Sequence, residues 1–329
     1  MKQVQNYLAT VLDGMAKGLF ASLIVGVIIR QIGVIFNFEL LITIGTVAQY
    51  MMGAAIGAGV AYSRGAKHFT ILAAIVAGMI GSGAIANGTI GMGEPVGAFV
   101  AALIGIEAGK LIEGKTKFDL LLVPLAVILI GGTVGIFISP YLSMAMAWFG
   151  TAINELTTLQ PLLMGVLIAT IVGMVLSSPM SSAALCISIQ ISGLAAGAAL
   201  AGCCAQMVGF AVSSFRENGV SGLLTQGIGT SKIQLPNIIK HPLIWLPPTI
   251  ASAIGGGLAT MVFHMETNSV GAGMGTSGLV GQLTTLEVMG NSAWLPILLL
   301  HFIIPAVISL AISEFMRKKN LIRTNDMKL

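Results

Sequence analysis

The sequence predicts an all-α integral membrane protein of about ten transmembrane helices, with broken or re-entrant segments and an amphipathic surface helix. Three observations lead there. Of 329 residues, 56% are hydrophobic and only 9% charged, against about a quarter charged in a soluble domain, and the mean hydropathy is +0.95. Apolar runs of about 18 residues or more, each able to cross about 30 Å of hydrocarbon as a helix, recur along the whole length. The basic residues gather in turns beside these runs, where they report topology and not nucleic-acid binding. The short alternating strands of a transmembrane barrel do not fit.

In chain order, residues 4–18, with Asp13 and Lys17, read as an amphipathic helix at the membrane surface leading into a first span at about 19–36. A second span covers about 40–61 and stops at the basic turn from Arg64 to Lys67. Spans at about 68–86 and 96–112 follow, then the charged turn from Glu113 to Asp119. A fifth span at about 118–139 ends at Ser139-Pro140, and the stretch from Tyr141 to Gln160 reads as an amphipathic helix with Tyr141 and Trp148 at headgroup depth. A sixth span, about 160–176, stops at "SSPMSS", Ser177 to Ser182. Residues 183–213 are too long for one span and read as two short ones broken within "SGLAAGAALAG". A ninth span at about 243–263 and a last at about 293–315 complete the count, giving one polytopic domain over 1–329 with a basic cytoplasmic tail at 316–329. With ten spans every basic turn and both termini face the cytoplasm, and no signal peptide is expected.

The 42 glycines and 18 methionines point to close helix packing or broken helices. Cys186, Cys203 and Cys204 lie in apolar segments without metal-ligand or CxxC spacing and read as buried small hydrophobes. A weak internal echo pairs Pro124 and Gly131-Gly132 with Pro247 and Gly255-Gly256-Gly257, each set followed by a long outer connection.

Irregular backbone at membrane depth is tolerated only where it is buried in protein or lines a watery cavity. Three stretches qualify: 87–99, 177–182 and 268–282. In "NGTIGMGEPVGAF", Asn87 offers an amide, and Glu94 sits just ahead of a helix opened by Pro95, where it either caps the helix or meets a ligand. In "NSVGAGMGTSGLVGQ", Asn268, Thr276, Ser277 and Gln282 suit a re-entrant hairpin lining a substrate cavity, with an ordinary outer loop as the other reading. His301 is an intramembrane imidazole, either a site or proton-relay group or a partner of a neighbouring helix. His241 stands at the cytoplasmic entrance of the ninth span, where it either meets a substrate leaving inward or simply lies at the interface. The motifs GxxxxGK[ST], HExxH and GxSxG are missing, and no catalytic residue, metal or cofactor is expected.

"GEPVGAF", "SSPMSSAALCISI", the long stretch from Gly209 to Phe263 and "NSVGAGMGTSGLVGQ" resemble the stand-alone enzyme IIC membrane proteins of the bacterial phosphoenolpyruvate-dependent sugar phosphotransferase system, in the branch that includes the perfringolysin O regulator. The resemblance covers nearly the whole chain. It implies a ten-span, commonly dimeric protein of the bacterial cytoplasmic membrane that binds a sugar and delivers it to a phosphorylated cytoplasmic IIB partner. It also implies a sugar held by the glutamate of a Glu-Pro motif and by a histidine. Glu94-Pro95 matches that dipeptide, although the better-known branches carry theirs in the C-terminal half. Neither a IIA nor a IIB domain is recognisable here, so the chain is at most the membrane subunit of a phosphotransferase complex and needs separate phosphoryl carriers. Two other readings stay open: a sensor on the same fold that binds a ligand without phosphorylation, and a proton-coupled permease using Glu94 or His301.

Overall fold

The protein is represented by a computed structural model that describes residues 2–86, 89–91, 93–115, 117–178 and 181–329. The chain divides into two compact units, Met1–Trp148 and Phe149–Leu329.

The first unit opens with α1 (Lys2–Leu19), which runs through a π-helical turn, Phe20–Ile24, into α2 (Val25–Ile35). Only Thr10–Val34 is apolar enough to cross a membrane. The expected surface helix is therefore continuous with the first span, and its face is spoken for: Val11, Met15 and Leu19 are buried. Gly14 and Gly18, one turn apart, let α1 lie directly on α4 (Met52–Ser63), because a Cβ at either position would strike that helix's backbone. The expected second span is two helices, α3 (Glu39–Tyr50) and α4, bent by 53° at Met51. Each half follows its own partners, α3 packing on α2, and α4 on α1 and α5 (His68–Gly81). A two-residue hairpin, β1 (Ile85–Ala86) with β2 (Thr89–Ile90), leads to α6 (Pro95–Ile112).

Next comes α7 (Asp119–Leu159), whose last residues belong to the second unit. Its 41 residues span about 60 Å at 1.5 Å each, twice the hydrocarbon thickness. The predicted stop at Ser139-Pro140 is absent: the helix carries both Pro124 and Pro140 in its interior. Proline removes one backbone donor without forbidding helix on either side, and here the chain continues.

In the second unit α8 (Pro161–Ser177), α10 (Gly193–Ser213) and α13 (Leu246–Met261) pack mutually. Nearly all of α10 is buried, and Cys203 and Cys204 are free, buried thiols on it, as Cys186 is on α9 (Ser182–Ser188). The expected break lies at the very start of "SGLAAGAALAG" and not within it: the chain turns at Ile189–Ser192, with φ of 52° at Gln190 and 57° at Gly193, and the helix then runs on unbroken to Ser213. Small residues open this segment to neighbours and do not interrupt it. A Cβ at Gly202 would collide with Ala169 O of α8, and one at Gly197 with Met265 O. The remaining elements are α11 (Phe215–Leu224), α12 (Leu235–Lys240), α14 (Ser269–Ala272), α15 (Val280–Met289), α16 (Trp294–Pro296) and α17 (Ile304–Lys318).

Among the described residues six helical runs are long and apolar enough to cross a membrane, or seven with the bent α3–α4 pair. The apolar helices His68–Gly81 and Pro161–Leu176 are shorter, so length and composition do not reach the expected ten.

Gly202→Val is expected to cost about 1–3 kcal/mol, as overpacked sites do, and to lower the melting temperature of the detergent-solubilised protein. Gly91→Ala, with nothing within 4 Å of the added carbon, leaves it unchanged. Scanning fluorimetry checks both.

Candidate functional site

In the second unit two interrupted segments meet end to end. The first is "SSPMSS". A residue before proline is pushed out of the helical region, and Ser178 leaves α8 at φ −92°, ψ 176°. Helix resumes at α9, where the Ser181 hydroxyl accepts from Ala184 N at 3.2 Å. The second begins at Asn268, whose Oδ1 accepts from Val270 N and Gly271 N, both at 3.1 Å, and so caps the single turn of α14. A sharp turn to α15 follows, with φ of 60° at Gly275, 54° at Gly278 and 58° at Leu279. Leucine in the left-handed region stores strain, since its Cβ crowds the backbone there. The two tips join where Ser182 Oγ donates to Gly273 O at 2.6 Å, and no side chain fits at Gly273 because a Cβ would run into Ser182.

The predicted residues of this region take different positions. Thr276 is buried and its hydroxyl donates to Gly227 O. Ser277 is half-buried beside the exposed Gly278 and Leu279. Gln282 and His301 come together across 19 residues, Nε2 to Nδ1 at 3.0 Å, with Cys204 Sγ 3.5 Å from the same amide nitrogen. Both are buried, and Gln282 Oε1 and His301 Nε2 have no hydrogen-bond partner among the described residues. If the amide donates to Nδ1, the ring carries its proton on Nε2, which leaves one donor and one acceptor waiting. Buried and unpaired, such groups cost about 1–3 kcal/mol each, a cost that water or a hydroxylated ligand removes. His241 lies apart, largely exposed, with Nδ1 3.6 Å from Asp326 Oδ1.

Sequence reasoning missed Gln206. Its Oε1 accepts from Ser177 Oγ and Trp245 Nε1, both at 3.1 Å, and its Nε2 donates to Thr249 Oγ1 at 3.1 Å. Ser177 Oγ also lies 3.0 Å from Ser231 Oγ, which ties the first tip to the loop after α11. The available signal was a lone amide within the apolar run 193–213.

Glu94 belongs to the first unit. It is the N-cap of α6, with Oε1 accepting from Val96 N at 2.8 Å and Oε2 from Gly97 N at 2.6 Å. Its own N–H donates to Ser82 O at 2.8 Å. Glu94 therefore caps its helix, and the same residue also lines a cavity of about 640 Å³ with Ile80, Ser82, Ile136 and Ser139. Burial pushes its carboxyl up, and the two backbone N–H groups pull it back. Asn87 lies outside the described residues.

Broken helices whose tips are hydrogen-bonded to each other within the protein, beside long apolar spans, define a multi-pass membrane protein. A family model described as "Phosphotransferase system, EIIC" matches residues 9–329. The chain belongs to that family, and it is a sugar permease component of the phosphotransferase system. No curated protein and no solved structure matches it.

Glu94→Ala is expected to cost about 1 kcal/mol, the usual value of an N-cap. Glu94→Gln costs less, because its amide oxygen still accepts one of the two N–H groups. Denaturant titration of the purified protein separates the two.

Proposed function

We propose that this protein binds its sugar at the joined tips of the second unit and releases it inward to a separate cytoplasmic IIB protein. The observation that carries the reading is the buried Gln282–His301 pair, with one acceptor and one donor unsatisfied close to a strained turn bearing Thr276 and Ser277. A sugar hydroxyl both donates and accepts, so it suits such a pair, and the missing charge keeps binding reversible.

In this reading Ser277 and the Gln282–His301 pair hydrogen-bond the sugar. Asn268 and Thr276, whose side chains already bond within the protein, hold the turn, and His241 faces the inward exit. Glu94 first anchors α6, and its remaining lone pairs offer acceptors to hydroxyls entering the first unit's cavity. The chain crosses about ten times, the two shorter apolar helices included, with the basic turns and both termini in the cytoplasm. Two copies form a dimer in the bacterial cytoplasmic membrane.

Uptake of a panel of labelled sugars into vesicles holding this protein and a phosphorylated IIB protein tests the reading. At least one sugar should accumulate as its phosphate. Ser277→Ala should raise KM about tenfold, the worth of one hydrogen bond of about 1.4 kcal/mol, with little change in melting temperature. Uptake of none of the sugars, or an unchanged KM in Ser277→Ala, overturns it, and binding without uptake points to a sensor on the same fold.

A further inference from the structure

The residues after α17 fold back onto the protein. Asn320 and Asn325, with φ of 56° and 73°, reverse the chain, and Ile322 and Met327 bury against Phe210, Ile238 and Ile244. Three side-chain amides hold the last residues by their main chain. Asn218 Nδ2 donates to Met327 O at 2.8 Å while its Oδ1 accepts from Leu329 N at 2.9 Å. Gln234 Nε2 donates to Met327 O, and Asn237 Nδ2 to Lys328 O, each at 2.9 Å. Main-chain recognition of this kind needs the tail in one register, which the buried Met327 supplies.

From the tail the hydrogen bonds run inward. Gln234 Nε2 also donates to Gln226 Oε1 at 2.9 Å, and Gln226 Nε2 donates to Ser214 Oγ at 2.8 Å. Both glutamines are fully buried. Gln226 belongs to the π-helical turn Thr225–Gly229, and the carbonyl of its neighbour Gly227 accepts the hydroxyl of Thr276. That turn also packs on Ser277–Leu279. One unbroken series of contacts therefore joins Met327 to the strained tip.

We propose that the C-terminal tail is a latch. Docked, it holds Gln234 and Gln226, fixes the Thr225–Gly229 turn, and so keeps the Thr276–Leu279 tip in its strained conformation; undocked, it frees the tip. Gln234 is then a positioning residue that acts on the tip through Gln226 and Gly227. The value of this to transport rests on the sugar site proposed above, but the mechanical coupling does not.

Ser277→Cys places a thiol at the tip, while the three native thiols are buried. Its rate of alkylation by a water-soluble maleimide, measured without sugar in the full-length protein, reads the freedom of the tip. Adding Met327→Asp, which ejects the tail, should raise that rate about tenfold, with tryptic cleavage at Arg323 confirming release. Removing residues 321–329 should do the same, and a peptide of that sequence added in excess should restore slow labelling, which an unfolded protein would not show. Asn237→Ala, a milder change that removes the tail bond to Lys328 O together with the bond to Gln234 Oε1, should raise the rate severalfold with the melting temperature nearly unchanged. An unchanged rate in Asn237→Ala and in the tail-released variants, or failure of the peptide to restore slow labelling, overturns the latch. Failure of sugar to slow labelling would count against the proposed site and leaves the coupling intact.

Discussion

Backbone that leaves the helix inside a membrane has to find its hydrogen bonds within the protein, because lipid offers none. The contact of Ser182 with Gly273 answers that constraint where two interrupted segments of the second unit meet. Each interrupted segment leaves free N–H or C=O groups at its tip. Each satisfies some locally, through Ser181 and Asn268 as caps, and the Gly273 carbonyl of the second takes the Ser182 hydroxyl of the first. The joint also needs a glycine at 273, since any Cβ would push the tips apart.

The same economy governs the helices that surround the tips. Little hydrophobic force draws helices together in lipid, so association depends on close packing and internal hydrogen bonds. Gly202 against Ala169 and Gly256 against Gly165 bring α8, α10 and α13 into backbone contact. Gln206 then bonds Ser177, Thr249 and Trp245 from three directions. Close packing and a saturated polar hub make this core rigid, and a rigid core can present a turn as strained as the one at Leu279.

Against that saturation, the Gln282–His301 pair is left incomplete, as Ser309 Oγ is elsewhere in the same unit. Glu94 differs in that each of its oxygens already accepts one N–H from the first turn of its own helix. The contrast bears on function. Saturated polar groups hold the fold, whereas unsatisfied ones beside a strained turn carry a cost that packing alone has not removed.

Much was legible in the residues alone. Composition and apolar runs required membrane-spanning helices, and Pro95 with Glu94 ahead of it marked a helix start that the structure reproduces. Ser-Ser-Pro at 177–179 marked a stop, because proline's effect on its predecessor is local. Other features depended on partners distant in the chain. The apolar side of residues 4–18 does not name its partner, and the packing of Gly14 and Gly18 on α4 supplies one. Glycines at 193–202 look alike in sequence, yet Gly193 takes a positive φ at the break while Gly197 and Gly202 admit the Met265 backbone and α8. His301 was visible as a costly imidazole, but its partner 19 residues away was not. Nor was the return of Met327 to Asn218 and Gln234. Local sequence determined where helices start and stop, since caps and prolines act over a few residues; tertiary structure decided which polar groups are satisfied, since that depends on what packs against them.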